Sequence, residues 1–167
     1  MSDRTSKIAV VLAILLAVGK VSLDRHSKPA VTLDWRTIAG TTDDPCSGKA
    51  TCVGIYISPW CSHCQGSIPF VQQVRERMKD SQNVGFRIII GHDRPERMQA
   101  MAKNVQGSVI LDDDQTLYRK LGIDSVPRWV VWNSDQKVIN QVKGSVEGRQ
   151  SAPAMESFLH DYLKIQL

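Results

Sequence analysis

The sequence has little of what nucleic-acid binding requires. Basic residues exceed acidic ones by only 21 − 17 = +4 over the 167 residues, and the excess falls to 18 − 16 = +2 once residues 1–23 are set aside. It contains no block of Lys and Arg, and its three Phe and three Tyr are not interleaved with basic residues. Internal repeats and low-complexity tracts are also missing. These absences argue against a DNA- or RNA-binding protein and against a repeat or fibrous architecture.

The overall composition indicates one soluble domain. Hydrophobic residues make up 42% of the chain and charged residues 23%, which is ordinary for a globular protein. Without a short end segment, the length is close to the usual single-domain size of roughly 100 to 150 residues. A chain of this size buries a core without needing metal or disulfide staples.

The N-terminus carries a short apolar segment. Residues 8–18 are uncharged and apolar and follow two basic residues, which is typical of a targeting segment. As a helix they span about 16 Å, less than the roughly 30 Å of a hydrocarbon core. This length favours a signal peptide, but apolar residues beyond Lys20 can prolong the run into a membrane anchor. Residues 1–23 are therefore predicted to be a signal peptide or a membrane anchor. Either segment indicates that the domain is exported to the bacterial periplasm, where disulfides persist.

The remaining chain divides into two parts. Residues 24–50 are polar and rich in turn formers, so they indicate a linker leading into the domain of residues 51–167. That domain alternates predicted strands (residues 53–57, 84–90, 109–111, 129–132 and 137–142) with predicted helices (residues 61–79, 95–104, 117–121 and 153–165). The alternation predicts an α/β fold with a central mixed sheet flanked by helices and closed by one antiparallel hairpin. Trp129 and Trp132, three positions apart, are expected on opposite faces of the sheet.

A pair of cysteines stands where the first of these strands passes into a helix. Cys61 and Cys64 are three positions apart, one helical turn, so they can close a small disulfide ring. Free backbone N–H groups and the helix dipole stabilise an anion at a helix start, so Cys61 is expected to be a reactive thiolate at neutral pH. Cys64, one turn inward, is expected to stay protonated until it resolves a mixed disulfide.

Several positions around this pair resemble the thioredoxin superfamily over about residues 52–165. Trp60 directly precedes the first cysteine, Pro69 follows the second by five residues, and residues 122–127 read Gly-Ile-Asp-Ser-Val-Pro before a strand. The resemblance implies a thioredoxin-like fold. It also implies that the bond between Val126 and Pro127 is cis and that this loop binds an extended substrate segment beside the dithiol.

Within that superfamily, the chain looks most like the exported TlpA/ResA-type thiol-disulfide oxidoreductases. Those proteins have an N-terminal membrane anchor and an extra helix and strand before the cis-proline loop, which residues 94–111 match here. The resemblance implies thiol-disulfide exchange with protein substrates, and a reductase in particular.

Two departures and one histidine bear on the direction of exchange. Ile55 and Ser67 occupy positions where such proteins have acids that help to deprotonate the inner thiol during reduction. The Ser62-His63 pair between the cysteines resembles the sites of oxidising proteins and isomerases. A histidine there can stabilise the Cys61 thiolate and so favour the reduced form. The alternative is that His63 is an exposed turn residue without electrostatic effect.

One further side chain, Arg128, is a candidate for modulating the site. Arg128 follows the presumed cis-proline, where the family commonly has Thr, so its charge can lower the pKa of Cys61 or select acidic partners. Alternatively, Arg128 starts its strand pointing to water. His92 follows the end of a strand, on the side where such sheets place their sites, but a loop histidine is more often a solvated or capping group.

The other cysteines do not fit a metal or haem site. With residues 53–58 extended, Cys52 lies some 25 Å or more from Cys61, so one tetrahedral zinc ion cannot bind both. Gln65 occupies the place of the histidine that a Cys-x-x-Cys-His haem motif requires. Cys46 and Cys52 are therefore expected to form a structural disulfide, with free thiols as the alternative.

These features predict an exported thiol-disulfide oxidoreductase that needs no dissociable cofactor, because its electrons reside in the Cys61 and Cys64 pair. Its partners are expected to be protein thiols and disulfides, with an unknown redox partner, and the membrane if residues 1–23 are retained. Whether it acts as a reductase, or as an oxidase or isomerase, stays open. A hypothesis of a different class is a catalytically silent adapter. In that case the Cys61–Cys64 disulfide only cross-links the start of the helix, and the loop at Val126 and Pro127 binds a partner.

Overall fold

In a computed structural model, the described part of the chain comprises residues 46–144, 146 and 151–166. The predicted signal or anchor segment, residues 1–23, and residues 24–45 of the predicted linker lie outside the described residues. Within the described ranges, no helix is long and apolar enough to cross a lipid bilayer.

The described residues form a five-stranded sheet with helices packed against it. The strands are β1 (Thr51–Ile57), β2 (Val84–Gly91), β3 (Val109–Asp112), β4 (Arg128–Asn133) and β5 (Val138–Lys143). The helices are α1 (Ser62–Met78), α2 (Pro95–Asn104), α3 (Thr116–Lys120) and α4 (Ala152–Ser157). The last of these continues into a π-helical turn, Phe158–Tyr162.

The sheet is mixed, as the alternating pattern predicted. Its strand order is β3-β2-β1-β4-β5. The three strands β1, β2 and β3 are parallel, whereas β4 runs antiparallel to β1 and β5 antiparallel to β4. Helices α1 and α2 connect the parallel strands, because a parallel crossover needs a long connection. The predicted hairpin is the pair of β4 and β5.

Both faces of the sheet are buried by helices. Side chains alternate along each strand, so neighbouring residues enter two different apolar clusters. One cluster contains side chains of α1, α2 and α4 with the strand residues Val53, Ile55, Ile57, Trp129 and Val131. The other contains side chains around α3 with Cys52, Tyr56, Val130 and Trp132. Trp129 and Trp132 thus lie on opposite faces, as expected from their spacing.

The end of the chain differs from the predicted helix over residues 153–165. The α-helical part ends at Ser157, and a π-helical turn follows in which the Leu163 N–H donates to the Phe158 carbonyl at 3.1 Å. Lys164 then takes a left-handed conformation with φ of 60°. The wider turn keeps Phe158, Leu159 and Leu163 buried, and this tertiary packing overrides the local helical pattern.

Candidate active site

The two predicted redox cysteines lie at the junction of β1 and α1. After β1, the turn Ser58-Pro59-Trp60 leads to Cys61, whose backbone is extended and which caps the first turn of α1. The Cys61 N–H donates to the Ser58 carbonyl at 3.1 Å, and the Cys61 carbonyl accepts the N–H of Cys64 at 3.1 Å. The turn therefore fixes Cys61 from both sides. Both cysteines are unbridged.

The Cys61 sulfur is held between the helix start and a facing loop. It accepts the backbone N–H of Cys64 at 3.2 Å and lies 3.6 Å from the Val126 carbonyl oxygen, to which its thiol donates. An atom that accepts from an N–H group at a helix start sits at the positive end of the helix dipole. Only 5% of Cys61 is exposed.

Cys64 is the inner member of the pair and is fully buried. Its burial raises the pKa of the thiol well above the ordinary value, and the hydrogen bond with Cys61 raises it further. The Cys64 thiol is therefore protonated at neutral pH. The two sulfurs occupy different environments although they are one helical turn apart.

The loop that faces the dithiol contains a cis peptide bond between Val126 and Pro127. The Gly144 N–H at the end of β5 donates to the Pro127 carbonyl at 3.1 Å. Since Val126 also accepts the Cys61 thiol, the structure brings the two cysteines and the predicted substrate loop together.

Arg128 begins β4 directly after this loop. Its guanidinium forms an ion pair with Asp124, and Lys143 from β5 binds the same carboxylate. The hydrogen bond from Lys143 holds the pKa of the Asp124 carboxyl at about 2. By strand alternation, Arg128 belongs to the face that carries Val130, and its side chain is buried there.

The remaining predicted modulators stand around Cys61 at the surface. Ser62 and His63 form the exposed first turn of α1. Trp60 is 53% exposed, and its indole N–H donates to the His92 carbonyl at 2.9 Å. Ser67, in one of the positions where an acid was missing, is buried and its hydroxyl donates to the His63 carbonyl at 2.7 Å.

Ile55, the residue in the other such position, is fully buried in the core beneath α1. Its aliphatic side chain offers no proton acceptor. The region between β1 and α1 is therefore apolar at this point, which agrees with the burial that raises the pKa of Cys64.

Cys46 and Cys52 are joined by a disulfide, with their Cα atoms 5.4 Å apart. Cys52 is the second residue of β1 and Cys61 lies beyond the other end of that strand. The five steps from Cys52 to Ile57 alone span about 17 Å at 3.3 Å per residue. The structure thus separates this disulfide from the dithiol. Among the described residues, no group of three or more His, Cys, Asp or Glu side chains is placed to hold a metal ion.

A family model described as Redoxin matches residues 29–159. The chain belongs to the Redoxin family. The matched range covers the dithiol, the loop at Val126 and Pro127, and all five strands. A comparison of this redoxin with curated proteins found no match.

Solved structures similar to this redoxin share its fold at low sequence identity. MTB dsbF is 23% identical with a TM-score of 0.53, covering 66% of this chain and 81% of that one. A secreted Mycobacterium tuberculosis disulfide oxidoreductase homologous to E. coli DsbE is 19% identical with a TM-score of 0.51, covering 66% and 84%. The exposed lipoprotein thioredoxin Etrx1 from Streptococcus pneumoniae strain TIGR4 is 15% identical with a TM-score of 0.56, covering 71% and 86%. These likenesses confirm the predicted thioredoxin-like fold.

A buried polar network, which no sequence pattern predicts, lies behind the site of this redoxin. The Tyr56 hydroxyl donates to the Asp112 carboxylate at 2.8 Å, and that carboxylate also accepts the N–H groups of Leu117 and Tyr118 at the start of α3. Burial, followed by this hydrogen bond, raises the pKa of Tyr56. No local pattern in the sequence signals that the carboxylate of Asp112 binds a partner on β1.

Proposed function

We propose that this redoxin is an exported thiol-disulfide oxidoreductase that exchanges disulfides with protein substrates through Cys61 and Cys64. The observation that carries the proposal is the position of the Cys61 sulfur, which accepts a backbone N–H at the start of α1 and faces the Val126 carbonyl. A nucleophilic sulfur needs stabilisation of its negative charge and an adjacent surface that aligns the substrate. Both needs are met at this position.

The first step is attack on a substrate disulfide. The Cys61 thiolate bonds to one sulfur of the substrate, the substrate S–S bond breaks, and the other substrate sulfur leaves as a thiolate. The product is a mixed disulfide between Cys61 and the substrate. The backbone N–H of Cys64 stabilises the charge on the attacking sulfur before this step.

The second step uses Cys64. Its thiol gives its proton to the departing sulfur and attacks Cys61, so the mixed disulfide breaks and a Cys61–Cys64 disulfide forms. Two electrons pass from the dithiol to the substrate, which leaves fully reduced. Because burial raises the pKa of Cys64, its thiol does not compete with Cys61 for the first attack. Run in reverse, the same two steps oxidise a substrate dithiol.

Protein substrates are proposed to bind along the loop at Val126 and Pro127. An extended segment adds to an exposed backbone edge through main-chain hydrogen bonds, and this loop lies beside the Cys61 sulfur. Trp60 forms the neighbouring exposed surface. Ser62 and His63 are exposed on the first turn of α1, next to Cys61.

Export is proposed from the N-terminal sequence. Residues 8–18 form an apolar run after two basic residues, the pattern of a targeting segment. Two structurally similar proteins are named as secreted or as an exposed lipoprotein. An oxidising compartment such as the periplasm also suits the disulfide between Cys46 and Cys52.

The experiment that tests the proposal is a trap for the mixed disulfide. Cys64→Ser retains the attacking sulfur but cannot resolve the intermediate, so it should accumulate disulfide-linked adducts with exported proteins on non-reducing gels. Cys61→Ser is the matched control and should form none. If folded Cys64→Ser forms no adducts, the oxidoreductase proposal fails and a silent adapter accounts better for the intact fold.

The reduction potential of the wild-type dithiol, measured in glutathione buffers, decides the direction of exchange. A value near about −270 mV identifies a reductant, and a value near about −120 mV an oxidant. A value below about −300 mV would mark the dithiol as an inert structural pair and contradict the proposal.

A further inference from the structure

The end of β2 is hydrogen-bonded to the active-site turn at two points. The Ser58 hydroxyl donates to the Gly91 carbonyl at 2.8 Å, and the Trp60 indole N–H donates to the His92 carbonyl at 2.9 Å. Both donors belong to the turn that leads to Cys61, and they are more than thirty residues from their acceptors. The position of the turn is therefore coupled to the conformation of residues 91–92.

His92 is itself held in an uncommon conformation. Its backbone is left-handed with φ of 58°, a region that few residues other than glycine adopt. Its ring stacks on Tyr118, with centroids 4.2 Å apart and planes 2° from parallel, and its Nδ1 lies 3.3 Å from the Gln115 side-chain oxygen. Two contacts from the region of α3 thus fix the His92 side chain. The backbone carbonyl of the same residue accepts the Trp60 indole N–H.

Trp60 is exposed although it is anchored. The His92 and Trp60 rings meet edge to face at 6.1 Å, and 53% of Trp60 remains exposed. An exposed indole with a fixed N–H presents a rigid apolar face at little entropic cost. Because Trp60 adjoins Cys61, the two Cα atoms are about 3.8 Å apart. A substrate side chain next to the reacting cysteine therefore lies within reach of the indole.

We propose that His92 is a positioning residue that holds Trp60 as a docking surface for protein disulfides with an aromatic or large aliphatic residue beside the reacting cysteine. This inference rests on the proposed function. His92 acts through its backbone carbonyl and its stacked ring, and it takes no part in the sulfur chemistry. Glutathione disulfide flanks its cysteines with glycine and a γ-linked glutamate, so it has no apolar side chain to place on Trp60. The surface therefore favours protein substrates over glutathione.

The test compares two substrates across three variants. The substrates are a disulfide peptide with Phe beside its cysteine and glutathione disulfide, each measured for KM and kcat with the full chain. His92→Ala removes the ring that anchors the backbone, His92→Phe keeps a ring that can stack on Tyr118, and His160→Ala is a control at an exposed histidine far along the chain. A stacked aromatic contact predicts about a three- to tenfold rise in KM for the peptide in His92→Ala, with kcat little changed. We expect His92→Phe to restore most of the affinity.

A second variant shows that the effect passes through the indole. In a Trp60→Ala background, His92→Ala should add less than twofold to the peptide KM, because the surface that His92 positions is gone. If His92→Ala does not fold, His92→Asn replaces it, since Asn tolerates the left-handed region and lacks the stacked ring. The same rise in KM is expected for it.

The inference is overturned if the His92 variants change both substrates equally, change neither, or retain their full effect without Trp60. If the proposed function itself is wrong, the wild-type protein exchanges disulfides with neither substrate. The two failures are therefore distinguishable.

Discussion

Gly91 ends β2 against the buried Tyr56, and Gly91→Ala is expected to destabilise the fold strongly. A Cβ at this position would lie 1.9 Å from the Tyr56 hydroxyl oxygen, 2.6 Å from its Cζ and 2.9 Å from the Asp112 Cβ. Because Cβ atoms do not tolerate neighbours closer than about 3 Å, Tyr56 must move and lose its 2.8 Å hydrogen bond to the Asp112 carboxylate. Overpacking costs about 1–3 kcal/mol and a hydrogen bond to a charged group about 1.5–3 kcal/mol. We expect a loss of about 3 kcal/mol.

Urea unfolding followed by circular dichroism measures this loss. With a slope of about 1.5–2 kcal/mol/M, the midpoint should fall by roughly 1.5–2 M. Gly122→Ala is the matched control, because no atom lies within 4 Å of its added Cβ and only the positive φ of 59° opposes alanine. That strain costs about 1 kcal/mol.

A double variant identifies the atom responsible. Tyr56→Phe removes the hydroxyl oxygen, so Gly91→Ala should cost at least about 1 kcal/mol less in that background than in wild type. The reasoning is refuted if Gly91→Ala lies within about 0.5 kcal/mol of wild type. It is equally refuted if the cost is the same with and without the hydroxyl.

Three other outcomes are expected. Lys143 holds the pKa of Asp124 at about 2 in the folded protein, below the pKa of about 3.9 in the unfolded chain. The ionised carboxylate therefore stabilises the fold fully above about pH 3.9, and this stabilisation is lost as the pH falls through about 2. The urea midpoint of Asp124→Asn should therefore lie below that of wild type at pH 6 and approach it at pH 2; a constant difference would contradict this. Replacing Cys46 and Cys52 by serine opens a bridge of sequence separation 6 and should cost about 2 kcal/mol in urea unfolding, and a loss under about 0.5 kcal/mol would contradict a stabilising disulfide. His63→Ala should make the reduction potential about 5–20 mV more negative, as expected if an exposed imidazole next to the dithiol weakly stabilises the Cys61 thiolate, whereas an unchanged potential would show that His63 has no electrostatic effect.

Much of the fold was predictable because its signals are local. The helix of residues 95–104 begins at a proline and ends as predicted, and no strand end differs from its predicted position by more than two residues. The boundaries that failed are those where packing overrides local preference. The C-terminal helix widened into a π-helical turn because Phe158, Leu159 and Leu163 all pack into the core.

The surroundings of the site were predictable only in part. Arg128 was a candidate for a charge near the dithiol or for a side chain in water, and the structure buries its side chain and pairs its guanidinium with the exposed carboxylate of Asp124. His92 was expected to be a solvated or capping residue. Its stacking on Tyr118 and its carbonyl bond to Trp60 join residues that no local pattern relates.

By itself, the sequence determined that two cysteines one turn apart stand where a buried strand passes into a helix, since strand and helix periodicity and residue type are properties of neighbouring positions. The family resemblance implied which loop faces that dithiol, but only the tertiary structure decided which distant groups contact the dithiol and its turn. The Val126 carbonyl is 65 positions from Cys61, the His92 carbonyl 32 from Trp60, and the Asp112 carboxylate 56 from Tyr56. These contacts arise from the strand order β3-β2-β1-β4-β5, which brings distant segments together at the carboxyl end of β1. That order depends on how all the apolar faces pack at once, and no short stretch of sequence encodes it.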